Sequence, residues 1–494
     1  MTSNMRIKGE SAPPGEAHIS MLPAVLVTGT LFAVGLAVTL ANSFVVLGVM
    51  GAVGVTALSF RRPIWVLWGS IFTLIVFPTY IRIPIVPGLP PITVSLALLG
   101  VLFGVLLLKA VLSHGGSPCG PRGRRFRVAF VVFGTVLLLS LVDPRTVTNS
   151  VDFWIKVIVV PWLLGYAMLR LVHDAADLDR LFKIAIAGSL IAVAYAIGEF
   201  MSGTNILHEI FLRQGEERDW YWQGEDFERV GSLHRTYALF TNPIEFGALM
   251  SMVYPYPLLR ASYARTRIAQ LAWATATLLI VIGAVLSFSR GPIVALVVTA
   301  LGLAWIVKPL RKLVLASALV GALALVAAWP MVGEKLEQRV ADVDNVTLRL
   351  KLFTIAWNMA LDHPVLGVGF ANFPQYQVET VRKHRINMVV EPNAERVHTS
   401  ENLYLQLAAE TGAVGLAALG MLLVAYFALA AWLYRRAPPS SLRTLVLASV
   451  MAVVAYLVNG LTVVSYQQYV ITLIAGFAFV APIVLERRLL RESK

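Results

Sequence analysis

The chain has 494 residues, 57% of them hydrophobic and 14% charged, with a mean hydropathy of +0.73. Soluble domains carry about 25% charged residues, so this composition excludes a soluble globular protein and points to an integral membrane protein. The formal net charge of +13 does not indicate nucleic acid, because the basic residues cluster in short loops between apolar runs, where they set membrane orientation. One cysteine, Cys119, excludes an internal disulfide framework and a cysteine-based metal cluster.

From the N-terminus, residues 1–20 read as a polar cytoplasmic tail. The apolar run Met21 to Ala41 exceeds the core of about 7–15 residues that a signal peptide carries, so it reads as an uncleaved first span. Spans of about 20 residues number about fourteen. They lie near 21–41, 43–60, 63–80, 92–112, 127–142, 153–171, 181–201, 243–260, 266–288, 291–307, 312–330, 402–434, 443–464 and 467–486. The expected fold is an all-α polytopic membrane protein of about 12–14 transmembrane helices. Its parts are an N-terminal bundle (21–201), a first polar loop (202–242), further helices (243–330), a large polar loop (331–401), C-terminal helices (402–486) and a tail (487–494).

With the N-terminus in the cytoplasm, the inside loops hold Arg61 and Arg62, then Arg122, Arg124, Arg125 and Arg127. Further along they hold Arg260, Arg265 and Arg267, then Lys308, Arg311 and Lys312, then Arg435, Arg436 and Arg443. This is the positive-inside asymmetry, and it puts both long polar loops outside. Long structured loops are where function concentrates.

The first loop contains Glu216-Glu-Arg-Asp-Trp-Tyr-Trp222 and Glu228-Arg-Val-Gly-Ser-Leu-His-Arg235. Trp220, Tyr221 and Trp222 suit either sugar stacking or an interfacial aromatic belt. In the second loop Leu350, Phe353, Trp357 and Leu361 recur at helical spacing, as in an amphipathic helix lying on the membrane surface. Arg349 falls at its expected start, and Pro364-Val-Leu-Gly-Val-Gly369 ends it in a glycine-rich turn. Asp342-Val-Asp344 has the form of a metal-binding pair, but so short a pattern carries little weight.

The second loop closes on His398-Thr-Ser-Glu-Asn402, at the mouth of an apolar run reaching Trp432. Thr399 or Ser400 is the expected cap of the helix that begins there. Arginines stand at expected helix ends on the same side: Arg235 before the eighth span, Arg290 in Leu286-Ser-Phe-Ser-Arg-Gly-Pro292, and Arg349. A guanidinium grips phosphate through two hydrogen bonds and keeps its charge, so three of them could hold a diphosphate. Each also suits a headgroup anchor, and for Arg349 that alternative weighs at least as much.

Four stretches together resemble the O-antigen ligase and polysaccharide polymerase superfamily of bacterial envelopes. They are Arg235-Thr-Tyr-Ala-Leu-Phe-Thr-Asn-Pro243, Ser289-Arg-Gly291, Arg349 with Pro364–Gly369, and Glu401-Asn-Leu-Tyr-Leu through Glu410-Thr-Gly-Ala-Val-Gly415. The resemblance implies a membrane glycosyltransferase of the all-helical class in the bacterial cytoplasmic (inner) membrane. Its members move a glycan from an undecaprenyl-diphosphate carrier to an acceptor hydroxyl on the outer face, with no cofactor and no required metal. Implied partners are the lipid-linked oligosaccharide, a glycan acceptor, membrane lipids, and chain-length regulator and flippase proteins, with no nucleic acid.

Ligases resembling this chain carry a histidine before the asparagine, eleven residues ahead of the first glycine of a Gly-x-x-Gly pair. Here that position (412 − 401 = 11) is Glu401, followed by Asn402, with His398 just upstream. Phe353 stands where a tryptophan is expected and Ala238 where a glycine is. The Glu-Asn form is closer to exopolysaccharide polymerases than to ligases of lipid A-core. The expected catalytic residues are Glu401 or His398 as the base, with Arg235 and Arg290 on the diphosphate. The expected substrate contacts are Arg349, Asn402, Ser289 and Arg229. Alternatives are a ligase to lipid A-core or to protein, and, from other classes, a lipid-linked glycan flippase or a scaffold. A flippase would place ionisable groups inside its spans, whereas Glu199, Glu245 and Arg290 fall at span ends.

Overall fold

The computed structural model describes residues 43–78, 93–113, 120–141, 147–213, 229–230, 233–312, 314–315, 343–388, 399–438 and 441–492. The expected spans at 21–41 and, for the most part, 312–330 lie outside the described residues. So do His398, Trp220, Tyr221, Trp222 and Asp342.

Two compact units divide at Arg62. In the first, the described helix is α1 (Ser43–Arg61), mostly apolar and ending on Arg61. The second opens with α2 (Pro63–Val76), α3 (Val94–Ser113) and α4 (Pro121–Leu139). Then come α5 (Val147–Trp154) and α6 (Val160–Leu171), joined without a break by a five-residue π turn, Ile155–Val159. Pro161 follows that turn. A proline inside a helix lacks an N–H and crowds the carbonyl four residues back, and a π turn absorbs both defects.

Next come α7 (Ala175–Ser202), α8 (Ile206–Arg213) and a pair of two-residue strands, β1 (Arg229–Val230) and β2 (Leu233–His234). After them are α9 (Pro243–Val253), α10 (Pro255–Ser262), α11 (Arg267–Leu286) and α12 (Arg290–Ile306). The C-terminal part has α13 (Val343–Asp362), α14 (Phe373–Lys383), α15 (Leu403–Arg436), α16 (Ser441–Asn459) and α17 (Tyr469–Glu492).

Local chemistry sets the boundaries. Asp174 caps α7 through the Asp177 amide, and Gly203, at φ +71°, closes it. Asn242-Pro-Ile-Glu starts α9: Asn242 accepts from the Glu245 amide and Pro243 takes the first helical position. Thr266 caps α11.

Among the described residues, seven helices are long and apolar enough to cross a bilayer, and Pro63–Val76 and Arg290–Ile306 are shorter apolar ones. The chain is an all-α polytopic membrane protein. In the second unit α4 packs on α15, α12 on α16, α2 on α3 and α7, and α16 on α17.

The ends of these helices sort by chemistry. At one end Glu486, buried in α17, accepts the Arg122 and Gly123 amides at the start of α4 (3.1 and 2.7 Å). There too Arg122 lies 4.4 Å over the Trp432 ring, and Arg260 pairs with Asp179 at 3.6 Å. This basic end joins the starts of α4, α7 and α11 to the ends of α10, α15 and α17. The opposite, loop end joins the end of α16 to the start of α15, where the Leu403 amide donates to the Gly460 carbonyl (2.7 Å). The Val470 amide donates there to Glu245, at the start of α9 (3.2 Å).

Three expectations change. Helix α15 is not one straight rod: Gly412, at φ +61° and ψ −160°, divides Leu403–Thr411 from the part that follows. Arg349 lies inside α13 rather than at its start, because the helix begins at Val343. The stripe read from the sequence is not the packed face of α13. Leu352, Ile355, Ala356 and Met359 bury against Phe373, Val381 and Ala409, while Leu350, Trp357 and Leu361 are exposed. The helix is therefore apolar on two faces, and the outward one suits lipid.

Candidate active site

Arg235 is 4% exposed, so burial commits it to partners. Its Nε donates to the Ser287 carbonyl (3.4 Å) and its Nη2 to the Ser289 hydroxyl (3.2 Å). The Thr236 amide and hydroxyl both donate to the Leu286 carbonyl (3.2 and 3.0 Å). The loop after β2 is thereby stitched to the turn between α11 and α12. From its other side, the buried Glu199 carboxylate accepts the Tyr237 and Ala238 amides (3.2 and 2.8 Å). Ala238 sits at φ +51°, where a glycine carries no Cβ penalty. That conformation accounts for the glycine expected at this position.

The 287–289 turn carries Phe288 at φ +46° between two buried serines. Arg290 follows, exposed, as the first residue of α12. Ser289 is occupied within the protein: it accepts from Arg235 and donates to the Ser287 carbonyl (3.1 Å). Gly291 is explained by close packing, since a Cβ there would meet the Thr462 hydroxyl at 2.0 Å.

Glu401 stands just before α15 at φ +54°. Its Oε2 lies 3.6 Å from Nη2 of Arg349, an ion pair rather than a hydrogen bond, and Thr399 Oγ1 donates to Oε1 at 3.5 Å. Burial raises the Glu401 pKa above the ordinary glutamate value, and Arg349 and Thr399 partly oppose the rise. The cap of α15 is Asn402, not Thr399 or Ser400. Its Oδ1 accepts the Tyr404 and Leu405 amides (both 3.0 Å) and its Nδ2 donates to the Leu461 carbonyl (3.2 Å). Asn, Ser and Thr cap about equally well, so the sequence left these positions equivalent. Ser400 turns inward instead and gives its amide to Gln406 (2.8 Å).

These pieces meet on the turn after α16. Asn402 holds Leu461, Leu403 holds Gly460, and Gly291 packs on Thr462. The turn that presents Arg290 and secures Arg235 and the turn that presents Glu401, the ion-pair partner of Arg349, thus lean on successive residues of one segment. Arg235, Arg290, Arg349, Glu401, Asn402 and Ser289 therefore belong to one connected end of the molecule. Arg229 lies in β1, where it pairs with His234, and its side chain falls outside the described residues, as does His398.

The glycine motifs also meet. Val368 and Gly369 donate to the Ala409 and Glu410 carbonyls (both 2.9 Å), and Ala413 donates to the Pro364 carbonyl (2.8 Å). A Cβ on Gly367 would stand 2.2 Å from the Glu410 backbone, and one on Gly412 would stand 2.3 Å from the Val365 carbonyl oxygen. Pro364–Gly369 and Glu410–Gly415 are two sides of one backbone seam. It fills the break in α15 and restores hydrogen bonds that the kink would otherwise lose.

Some site residues were not found from the sequence. Glu199 was noted only as a charge at a span end. Glu410, wholly buried, accepts from Tyr466 (2.7 Å) and Gln406 (2.9 Å), partners that no local sequence pattern marks. His208 meets the Tyr237 hydroxyl at 2.9 Å, and burial lowers its pKa.

Fold and site together define a multi-pass membrane protein with a connected arginine–carboxylate cluster at one end of its helices. A family model described as O-antigen ligase matches residues 275–420, which supports the resemblance to the O-antigen ligase and polysaccharide polymerase superfamily. No curated protein matches the chain. The family supports a ligase- or polymerase-type, glycosyltransferase-like function and implies a lipid-linked glycan donor and an acceptor in the membrane.

Proposed function

We propose that the chain polymerises a cell-surface polysaccharide, moving glycan from an undecaprenyl-diphosphate carrier to a sugar hydroxyl at the outer face of the cytoplasmic membrane. The observation that carries this reading is Glu401. It is a carboxylate held in left-handed backbone beside Arg349, at the position where related ligases carry their histidine.

In the reaction, the bond between the donor's anomeric carbon and its diphosphate oxygen breaks, and the diphosphate leaves with the electron pair. The acceptor hydroxyl oxygen bonds to that carbon and yields its proton to Glu401. Fixed cations aimed at the growing diphosphate charge supply the main stabilisation. Arg235 suits this because two hydrogen bonds already fix its plane. Arg290, next in the chain to the Ser289 that holds Arg235, adds a second guanidinium on the first turn of α12, where free helix amides favour an anion. Arg349 tunes Glu401 and contributes less to the diphosphate. Asn402 acts through the cap that fixes Glu401, and Ser289 through Arg235. Arg229 and His398 are proposed as substrate contact and auxiliary base, and no metal is assigned. The loops 202–242 and 331–401 form the extracytoplasmic side, and 21–201, 243–330 and 402–486 carry the spans between the cytoplasmic tails 1–20 and 487–494.

The glycan phenotype of a deletion strain tests the reading. Single repeat units where a ladder was present are the expected result. Polymer stranded on its carrier would make the chain a ligase to lipid A-core or protein. Repeat units confined to the inner leaflet would make it a flippase.

A further inference from the structure

An apolar cavity of about 640 Å3 runs between α4, the π turn with α6, α15 and α17. This volume is within the ~300–1,000 Å3 of ordinary ligand sites. One end reaches Phe370, Leu403 and Tyr466 at the loop end of the helices. The other reaches Arg124 and Arg127 at the basic end, and among the described residues no acidic one lines the space between. Val128, Val131 and Trp162 line it and are more than a third exposed, so it opens sideways where a bilayer would lie.

The charge at the Arg mouth is one-signed. Arg124, Arg125 and Arg127 are exposed on the first two turns of α4, a helix end whose dipole already repels cations. The nearby Glu486 is buried and accepts the Arg122 and Gly123 amides. A slot that is apolar along its length, open to lipid and cationic at one mouth fits a molecule with a hydrocarbon chain and an anionic head. Basic pockets between membrane helices take such headgroups. We infer that this cavity is a binding site for an anionic phospholipid, its headgroup phosphate on Arg124 and Arg127 and one acyl chain in the slot. The headgroup mouth of the site lies at the end of the helices opposite the arginine–carboxylate cluster, although the slot reaches Leu403 near that cluster, and phospholipid binding does not depend on the reaction proposed there.

Mass spectrometry of the intact purified protein tests this, after equilibration with equal phosphatidylglycerol and phosphatidylethanolamine of identical chains. The protein should retain phosphatidylglycerol over phosphatidylethanolamine by about tenfold or more, given two surface arginines on one headgroup. Arg124→Gln with Arg127→Gln should bring the two lipids near parity. Arg125→Gln, on the same turns but outside the cavity, should keep the preference. Val131→Trp, at an exposed wall position, should lower retention of both lipids, with folding checked by gel filtration. Equal retention of the two lipids by the unaltered protein overturns the site, and that comparison needs no variant. Equal losses in Arg125→Gln and in the double variant also overturn it. Displacement of phosphatidylglycerol by equimolar undecaprenyl phosphate, unaffected by the double variant, would overturn it too and give the slot to the donor's tail.

Discussion

To act as the proposed base Glu401 must ionise where burial resists ionisation, and Arg349, 3.6 Å away, favours the ionised form. As a base it works only when deprotonated. Activity should therefore be present above its folded pKa and fall as pH drops through it. Because that pKa is raised, the acid limb of the pH–rate profile should lie above the free glutamate value of about 4.3. Arg349→Gln removes an influence that lowers the pKa, so the limb should move to higher pH, measured as turnover across a pH series. Glu401→Gln keeps shape but cannot take a proton and should cost about 10²–10⁴ in turnover at unchanged protein level. Activity in Glu401→Gln together with loss in His398→Ala would reassign the base. Arg290→Lys keeps charge but loses the paired geometry, so purified variant should fall about 10²–10³-fold. A headgroup anchor would tolerate lysine.

At the scale of elements, the loops of the site hold strain that secondary structure does not explain. Ala238, Phe288 and Glu401 have positive φ without being glycine, each in one of the motif stretches or in the turn before Arg290, and Ala371 does so two residues past Gly369. Such residues cost about 1–3 kcal/mol each and persist where the surroundings fix them. Ala238→Gly should relieve one of these and leave thermal stability equal or higher. Ala238→Val, β-branched in left-handed backbone, should lower it. The seam between Pro364–Gly369 and Glu410–Gly415 leaves no room for a Cβ at Gly367 or Gly412, so Gly412→Ala should destabilise by about 2–5 kcal/mol, combining the left-handed cost with overpacking. Denaturation in detergent reads each change.

The sequence announced these elements unevenly. The break at 287–289 is among the weakest in the apolar pattern, because so short a turn hardly interrupts hydropathy, yet α11 and α12 both form on either side of it. The kink at Gly412 was not legible, because the apolar run continues through it and one glycine leaves little trace in hydropathy. The two apolar faces of α13 interleave, so a single stripe reading selected the exposed one. Glu199 could not be tied to Arg235, since its partners lie 38 and 39 residues further along and no local pattern links them.

For the whole molecule, the sorting of helix ends agrees with the charge asymmetry. Arginines gather at the end that holds Glu486 and Asp179, while the motif loops gather at the other. With the motif end outside, cysteines at Ser202 and Glu391 should label in intact cells with a membrane-impermeant thiol reagent, once Cys119 is serine. Labelling only after permeabilisation would invert the orientation.

The central claim is that this cluster transfers glycan from a lipid diphosphate. It is tested most directly with purified protein in lipid and a polyprenyl-diphosphate oligosaccharide donor. The measurement is the chain length of glycan formed, together with release of free carrier diphosphate. The account predicts stoichiometric carrier release with lengthening glycan, abolished in Glu401→Gln and strongly reduced in Arg235→Lys. Full turnover in both variants, or movement of intact donor across the bilayer with no carrier release, would contradict it.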